Sequence, residues 1–342
     1  MRPPALLLLL LAASASAQPA PPDSARLGEV TVTATRVETT PAEAPVRVQT
    51  LGREAAAAAG ARTVADLVEA RTGAFVRRYG PGGLASASLR GASASQTLVL
   101  LDGHRIADPQ LGQLDLSLLP ALLVDRAEVA YGPGAALWGT DGVGGVLNLR
   151  TGADRPGFAV QTRAGAWGEA GAGARLAAEG QSGALRLGAT GAADLALYAG
   201  DYAFFDSTRF DNAAGRPGLW VRREDADERR ATLFARAWAE TDRVESSAGV
   251  WLSDAERGLF TPGAGAGQRQ WDRALRLWTG HALRLGPWRV EAGGLHQRGL
   301  LAWAGGSAAR PDSGVTRTLS GHLRAARPVA LGPALATVTA GV

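Results

Sequence analysis

After Thr151 the chain consists of segments of about ten residues in which apolar and polar or small side chains alternate, separated by Gly, Pro, Asp and Asn. Around Phe158, Leu185 and Val244 every second residue is the less polar one. This length and period are typical of transmembrane β-strands, with the apolar side facing lipid and the polar side facing a lumen. Strands of soluble β-sandwiches also alternate, usually over about five or six residues, so periodicity alone leaves both folds open.

Tryptophan recurs near the predicted ends of these strands. Membrane barrels place aromatic girdles at both interfaces with water, whereas soluble sandwiches seldom expose so many tryptophans. We therefore predict interfacial positions for Trp220, Trp238, Trp251, Trp271, Trp278, Trp288 and Trp303.

The N-terminus has the pattern of a secretory signal peptide. Arg2 precedes the apolar run Leu6–Leu11, and Ala15-Ser16-Ala17 matches an A-x-A cleavage site, so the mature chain is expected to begin at Gln18. A transmembrane helix would need roughly 20 apolar residues, and no later run reaches that length. If the mature protein lies in a membrane, it must therefore cross as a closed barrel.

The charge balance argues against a nucleic-acid partner. The 36 basic residues are all arginine and are balanced by 32 acidic residues, for a formal net charge of +4. Nucleic-acid binders carry a clustered basic face, and here the arginines are spread along the chain. The chain has no cysteine, so no disulfide framework stabilises it, and 342 residues can bury a core without one.

Residues 18–45 are rich in Pro, Ala and Thr and short of large apolar side chains, which is typical of a flexible arm. Within this arm, Glu29–Arg36 alternates β-branched residues like a strand without a partner in its own segment. Such a strand can add to the edge of another protein's sheet, where its main chain supplies the hydrogen bonds.

Residues 46–150 alternate short strands and helices, which predicts a compact α+β domain. A helix is expected over Thr63–Ala70, with Thr63 as N-cap, Asp66 completing a capping box and Gly73 supplying the C-terminal stop. The apolar runs Leu98–Leu101 and Val146–Leu149 are bounded by Gly and Asp, as short buried strands should be.

No catalytic or metal-binding constellation is recognisable from spacing. The four histidines, His104, His281, His296 and His322, occur singly, whereas a zinc site needs three or four converging ligands. We therefore predict no cofactor and assign each histidine to an ordinary strand or loop position. The one open alternative is calcium, which a loop with several carboxylates can hold; the candidates are Asp201, Asp206 and Asp211.

Several motifs resemble the plug of TonB-dependent outer-membrane receptors and follow one another in that family's order: Thr63–Val68, Thr72–Val76, Ser88–Gly91, Leu98–Ile106, Val124–Pro133, Ala135–Gly139 and Gly142–Leu149. One departure is Tyr131, where the family often has an arginine that contributes to the polar contact between plug and barrel. Farther along, Gly200–Phe204 and Arg222–Asp227 resemble an extracellular loop and the next strand of cobalamin- and siderophore-type receptors.

The resemblance implies an α+β plug domain followed by an antiparallel transmembrane β-barrel, located in the outer membrane of a Gram-negative bacterium. Complete barrels of this family have about 22 strands. The expected divisions are a signal peptide (1–17), a periplasmic arm (18–45), the plug (46–150) and the N-terminal part of the barrel (151–342), with about eight or nine strands. Such a chain is expected to be a fragment that cannot close its own barrel.

The resemblance also implies energy-coupled uptake of a scarce nutrient, such as a ferric siderophore or cobalamin. The TonB energy-transducing protein would grip a strand formed by Glu29, Val30, Thr31, Val32, Thr33 and Ala34. Arg90 and Glu128 match the family and would pair with charges of the barrel wall. The small-molecule ligand would bind turn-rich insertions at the plug apices, namely Tyr79, Gly80, Pro81, Asp108, Pro109, Gln110 and Leu111.

Two functions of other classes remain open at this point. A non-transporting barrel, such as an adhesin or a structural protein, would account for the strands but gives no reason for a plug and a coupling strand. A barrel-associated enzyme is weakened by the lack of a catalytic constellation.

Overall fold

The computed structural model describes residues 33, 44–79, 83–108, 110–132, 138, 142–152, 156–198, 202–211, 215–223, 227–259, 268–305, 311–331 and 334–341. The predicted signal peptide and most of the arm lie outside these residues. In the described part, neither helix has the length or the apolar character needed to cross a bilayer.

The first sheet has five strands in the order β1-β6-β7-β4-β5. Their bounds are β1 (Arg47–Gly52), β4 (Thr97–Leu101), β5 (His104–Arg105), β6 (Arg126–Tyr131) and β7 (Gly145–Arg150), with a separate hairpin of β2 (Phe75–Arg78) and β3 (Ala85–Ser88) and the helices α1 (Arg53–Ala58) and α2 (Val64–Arg71). The pair β4–β7 is parallel, and the other pairs are antiparallel. We call this unit the plug.

The two apolar runs form the centre of the plug, as predicted. All five residues of β4 are buried, and so are the first five of β7. Side chains on one face of β4 pack with Ala130 and Val146, while Val99 and Leu101 face the larger core that includes the buried side of α2. A strand covered on both faces reads as a continuous apolar run, which explains why these runs do not alternate.

Helix α2 begins as the sequence predicts and ends differently. Thr63 is the N-cap, its side chain accepts from the Asp66 N–H, and the Asp66 carboxylate accepts from the Thr63 N–H, which completes the capping box. The predicted stop at Gly73 is wrong. The cap is Thr72 in extended conformation, whose hydroxyl and N–H both donate to the Val68 carbonyl. Because a threonine satisfies the last turn, no left-handed glycine is needed.

The second sheet has nine strands, all paired antiparallel, in the order β18-β17-β16-β15-β14-β13-β10-β9-β8. Their bounds are β8 (Gly157–Ala164), β9 (Ala170–Ser182), β10 (Leu185–Tyr198), β13 (Glu228–Glu240), β14 (Val244–Gly258), β15 (Arg269–Leu285), β16 (Trp288–Ala304), β17 (Asp312–Leu331) and β18 (Ala334–Gly341). We call this sheet the barrel wall. The predicted count of eight or nine strands and the predicted fold class are confirmed.

The alternation of apolar and polar residues in the sequence corresponds to the two faces of the barrel wall. Phe158 and Val160 are exposed on one face, as are Leu185 and Leu187. The opposite face covers the plug and carries buried polar side chains, for example Arg175 and Asp194. The apolar face therefore points away from the plug, as expected for a face toward lipid.

The strands of the barrel wall are joined differently at their two ends. At one end, which we call the short-turn end, β9–β10 and β15–β16 turn within two residues, with Gly183 and Gly286 at positive φ. Two-residue hairpin turns require positive φ, which glycine adopts at no steric cost. At the other end, the long-loop end, the connections are longer, and the one between β10 and β13 contains the hairpin of β11 (Tyr202–Asp211) and β12 (Arg216–Arg223).

The predicted aromatic girdle holds for some tryptophans and is wrong for others. Trp288 and Trp303 are exposed near opposite ends of β16. Trp251 and Trp278, however, are 0% and 2% exposed and pack with Phe234 in the same core as the plug. The period of β14 and β15 places these two side chains on the inner face, where the plug covers them.

Candidate functional site

One residue of the predicted coupling strand lies against the plug. The Thr33 N–H and hydroxyl each donate to Oε2 of Glu128 at 2.9 Å, and Asn148 Nδ2 donates to the Thr33 hydroxyl at 2.9 Å. Glu128 and Asn148 are fully buried and directly opposite each other on β6 and β7. Glu29, Val30, Thr31, Val32 and Ala34 lie outside the described residues.

The Glu128 carboxylate is held by several further groups. Arg126 Nε lies 3.2 Å from Oε1 of Glu128, and Asn148 Nδ2 lies 3.3 Å from Oε2. Asn148 also accepts from the Gly103 N–H through Oδ1 at 3.1 Å. Thr33, the centre of the plug sheet and the β4–β5 turn therefore belong to one hydrogen-bond network. Displacing Thr33 would leave a buried carboxylate with fewer donors, which is costly.

A cavity of about 520 Å³ opens beside Thr33 at the short-turn end. It lies between the plug and the barrel wall, and its lining includes Thr33, Asp102, His104, Arg236 and His322. Burial would raise the pKa of Asp102, but Arg236, Arg150 and two hydrogen bonds from Thr151 outweigh it and lower that pKa. Asp102 is therefore an anion that faces Arg236 of β13, 3.5 Å away.

Two further ion pairs, one buried and one partly exposed, join the plug to the barrel wall. Asp125 contacts Arg175 of β9 at 2.6 Å, and both side chains are almost completely buried. Arg62, just before α2, contacts Glu169 between β8 and β9 at 2.6 Å. Neither pair was predicted from the sequence; for Asp125 and Arg175, the signals were a single acid within an apolar plug segment and an arginine at an inward strand position.

Arg90 and Glu128, predicted to pair with the barrel wall, make their described contacts elsewhere. Arg90 is exposed with φ of +55°, and its guanidinium lies against Gly132 of the plug. Glu128 binds Thr33, Arg126 and Asn148, all outside the wall strands. Pairing of Arg90 and Glu128 with the wall stays a prediction.

Tyr131 occupies the position where the sequence departs from the family pattern. Its hydroxyl donates to Gln49 Oε1 at 3.0 Å and accepts from the Gly73 N–H at 3.2 Å. The guanidinium of Arg47 lies over its ring at 5.2 Å. Tyr131 thus joins β1 to the end of α2 within the plug.

The described parts of the predicted plug apices lie toward the long-loop end. Tyr79 is exposed, with the Arg77 guanidinium 5.0 Å from its ring centre. In the other loop, the Asp108 carboxylate accepts from the N–H groups of Gln110 and Leu111 at 2.8 and 3.3 Å, which closes the turn. Gly80, Pro81 and Pro109 lie outside the described residues.

A second cavity, of about 530 Å³, opens at the long-loop end between α2, β2 and the barrel wall. The charges that line it are paired with each other. Arg78 contacts Asp66 and Glu69, each at 2.8 Å, and Arg62 contacts Glu169. Burial would raise the pKa of Asp66, but hydrogen bonds from Thr63 and the charges of Arg78 and Arg62 outweigh it and lower that pKa.

The candidate calcium ligands are only partly described. Asp206 and Asp211 belong to β11, and Asp201 lies outside the described residues. Within the described ranges no group of three or more His, Asp or Glu side chains is placed to hold a metal ion. The calcium alternative stays a prediction.

Comparison with known families decides what the first sheet is. Residues 40–146 match the sequence profile of the TonB-dependent receptor plug domain. This segment is a TonB-dependent receptor plug domain. Both helices, strands β1 to β6 and Glu128 lie within the matched range, whereas β7 continues to Arg150 and Asn148 lies two residues beyond it.

Curated relatives match about a third of the chain. The vitamin B12 transporter BtuB of Vibrio cholerae is 37% identical over 123 residues, which is 36% of this chain and 20% of that protein. BtuB of Vibrio vulnificus is 33% identical over the same length. The matched segment thus corresponds to about one fifth of these relatives.

Solved structures match the plug and the barrel wall together. The alcaligin outer-membrane receptor FauA of Bordetella pertussis has a TM-score of 0.68 and 18% identity, covering 92% of this chain and 49% of that one. FpvA of Pseudomonas aeruginosa, solved with a heterologous pyoverdine, has a TM-score of 0.67 and 15% identity, covering 91% and 43%. The plug and the nine strands therefore have the fold of about half of such a receptor. This fold agrees with the predicted location in the outer membrane.

With a plug domain and this fold established, the two ends of the barrel wall can be oriented. Outer-membrane barrels have short turns on the periplasmic side and longer loops outside. Thr33 and the cavity beside it then lie on the periplasmic side, and the cavity beside α2 lies on the outer side.

Proposed function

We propose that this protein is an outer-membrane receptor that takes up a scarce nutrient, such as a ferric siderophore or cobalamin, with energy supplied through TonB. The observation that carries the proposal is the docking of Thr33 on Glu128 and Asn148. It connects the arm, where a periplasmic partner would act, to the central strands of the plug.

The coupling step follows from that contact. A TonB-type partner would pair with the strand Glu29–Ala34 along its main chain. The Thr33 N–H and hydroxyl cannot serve the partner and Glu128 at once, so pairing has to break both bonds. Hydrogen bonds to a charged group contribute about 1.5–3 kcal/mol each, so the docked arm resists the partner until it is released or pulled.

The ligand would enter from the outer side. The cavity beside α2 and the exposed Tyr79 face that side, and the second apical loop contributes Asp108, Gln110 and Leu111. Gly80, Pro81 and Pro109 complete the predicted apices. Because the cavity's arginines are already paired with carboxylates, a ligand would bind through many hydrogen bonds in addition to charge.

The similar proteins are named for two classes of ligand, which supports uptake of a scarce nutrient but does not distinguish between the two classes. The relatives that match in sequence are named vitamin B12 transporters, and the structural neighbours include receptors named for alcaligin and pyoverdine. We propose no catalytic step, because the relatives are transporters and receptors and the work of transport would come from the inner membrane. Calcium bound by Asp201, Asp206 and Asp211 would be an accessory in an outer loop.

Uptake measurements test this function. Cells that carry the natural gene as their only such receptor would be given radiolabelled cobalamin and a panel of iron-55 siderophores, with and without the energy-coupling protein. We expect accumulation of one ligand class that disappears without the coupling protein, while surface binding remains. Accumulation that is independent of coupling, or none for any ligand together with cell adhesion, would favour a non-transporting barrel.

A further inference from the structure

Two histidines that are far apart in sequence meet at the boundary between plug and barrel wall. His104 belongs to β5 of the plug and His322 to β17 of the wall, and their ring centres are 5.3 Å apart with an interplanar angle of 49°. Both rings line the periplasmic-side cavity. From the sequence each was expected at an ordinary strand or loop position, because nothing in the sequence brings the two together.

The nitrogen-bearing edges of the two rings converge over Gly293 of β16. A Cβ atom at Gly293 would lie 2.5 Å from Cε1 of His322 and 2.7 Å from Cε1 of His104. In imidazole, Cε1 lies between the two ring nitrogens. The edge of each ring that carries its two nitrogens therefore lies against Gly293, and the rings can approach this closely because residue 293 has no side chain.

The separation of the rings fits a shared metal ion. With metal–nitrogen distances of about 2.1 Å and a tetrahedral angle, two imidazoles on one zinc ion have ring centres roughly 5.2 Å apart. The observed 5.3 Å agrees with the shared-ion geometry.

Imidazole binds a metal ion through the lone pair of an unprotonated ring nitrogen. The cavity beside the pair gives access from the periplasmic side and room for water ligands.

We propose that His104 and His322 form a binding site for a divalent transition-metal ion, such as Zn²⁺ or Cu²⁺, that links the plug to the barrel wall. Imidazole nitrogen suits these ions, whereas Ca²⁺ and Mg²⁺ prefer oxygen. No third His, Asp or Glu of the described residues converges on the pair, so water completes the coordination. The bound ion would tie the β4–β5 turn to β16 and β17 and oppose movement of the plug. The site goes beyond the proposed function and does not depend on it.

Metal titration of the full chain in detergent tests the site. Zn²⁺ binding would be measured by calorimetry after chelator treatment, for the unmodified protein and for His104→Ala and His322→Ala. We expect one ion per chain, and at least about a tenfold loss of affinity in either variant. Mg²⁺ should produce no heat at the same concentrations.

Two matched controls use the remaining histidines. His281 is exposed and bonded to Ser246, and His296 lies between the buried Leu295 and Gln297, so alternation directs it to the other face. His281→Ala and His296→Ala should leave zinc affinity unchanged. Equal zinc affinity in all four variants, or a loss that follows His281 or His296, would overturn the proposal.

A pair of glycine variants separates the site from general folding. Gly293→Ala would force a Cβ between the two rings, whereas a Cβ at the neighbouring Gly294 comes no closer than 3.7 Å to the Ser320 carbonyl. We expect Gly293→Ala to abolish zinc binding and Gly294→Ala to retain it.

A measurement on the unmodified protein keeps the test valid if the variants do not fold. X-ray absorption of the zinc-loaded chain should show two imidazole ligands at about 2.0–2.1 Å. A spectrum with oxygen ligands alone would reject the site.

Discussion

Asp115 of the plug and Arg257 of β14 form an ion pair of 2.7 Å in which both side chains are almost completely buried. The other carboxylate oxygen of Asp115 accepts from the N–H groups of Ala85 and Ser117 and from the Ser117 hydroxyl. Arg257 also contacts Asp272 of β15 at 3.1 Å. One carboxylate thus organises a turn of the plug and, at the same time, binds the barrel wall.

Breaking this pair from the wall side should strongly weaken the docking of the plug. Arg257→Gln leaves Asp115 and Asp272 buried without their cation, which we expect to cost about 3–5 kcal/mol of unfolding free energy. The measurement is denaturant unfolding followed by the fluorescence of Trp251 and Trp278, which pack in the same core as the plug.

An exposed ion pair of the same wall supplies the control. Arg273 and Asp254 are 2.6 Å apart with more than half of each side chain exposed. Arg273→Gln should change the unfolding free energy by less than about 1 kcal/mol. Similar losses in both variants would show that the buried pair has no special role in docking.

Removing the Thr33 hydroxyl should release the arm. Thr33→Val keeps the shape of the side chain and the backbone N–H bond to Glu128 but loses the hydroxyl's bonds to Glu128 and Asn148, so we expect the undocked fraction to rise about tenfold or more. The rate of trypsin cleavage after Arg36 reports that fraction. Thr39→Val, outside the predicted coupling strand, is the control, and equal cleavage of both variants would contradict docking through Thr33.

A proline in the coupling strand should uncouple transport from binding. Val32→Pro removes a backbone donor and disrupts strand pairing with the periplasmic partner. We expect uptake to be abolished while ligand binding to whole cells is retained. Thr39→Pro, close to the natural Pro41, should retain uptake; normal uptake by Val32→Pro would refute the assignment of Glu29–Ala34.

Acid should weaken the plug through His104. Burial and the neighbouring His322 and Arg150 lower its pKa from 6.5 to about 4, against the opposing charge of Asp102. Since the folded-state pKa lies below the unfolded one, this contribution to stability is complete above pH 6.5. It is lost as the pH falls from about 6.5 to about 4, and amounts to roughly 3 kcal/mol.

Unfolding of the chelator-treated protein between pH 7 and pH 4 measures this effect. In His104→Gln the stability should fall less steeply over that range, whereas His296→Gln should behave like the unmodified protein. An unchanged slope in His104→Gln would mean that other groups cause the acid sensitivity.

Features that depend on near neighbours could be predicted from the sequence. The capping box needs only Thr63 and Asp66, three residues apart, and it formed as expected. Alternation predicted the wall strands, because successive side chains of a strand point to opposite faces whatever the strand packs against. The end of α2 was misjudged because the Thr72 hydroxyl could satisfy the last turn without Gly73.

The period of a strand also determines which residues share a face, but not what covers that face. Trp251 and Trp278 were therefore assigned to the membrane interface, although they lie under the plug. The bonds of Thr33 to Glu128 and Asn148 were beyond the sequence for the same reason. They depend on where Thr33 meets two strands that are paired with each other in the plug sheet.

The sequence by itself determined the signal-like N-terminus, the short helix, the buried central strands and the alternating wall. Only the tertiary structure decided the partners across the interface, such as Asp115 with Arg257 and His104 with His322. Which residues pair depends on how far the plug is shifted along the wall strands and on how it is rotated relative to the wall. Packing of the two surfaces sets that position, and local backbone preferences carry no information about it.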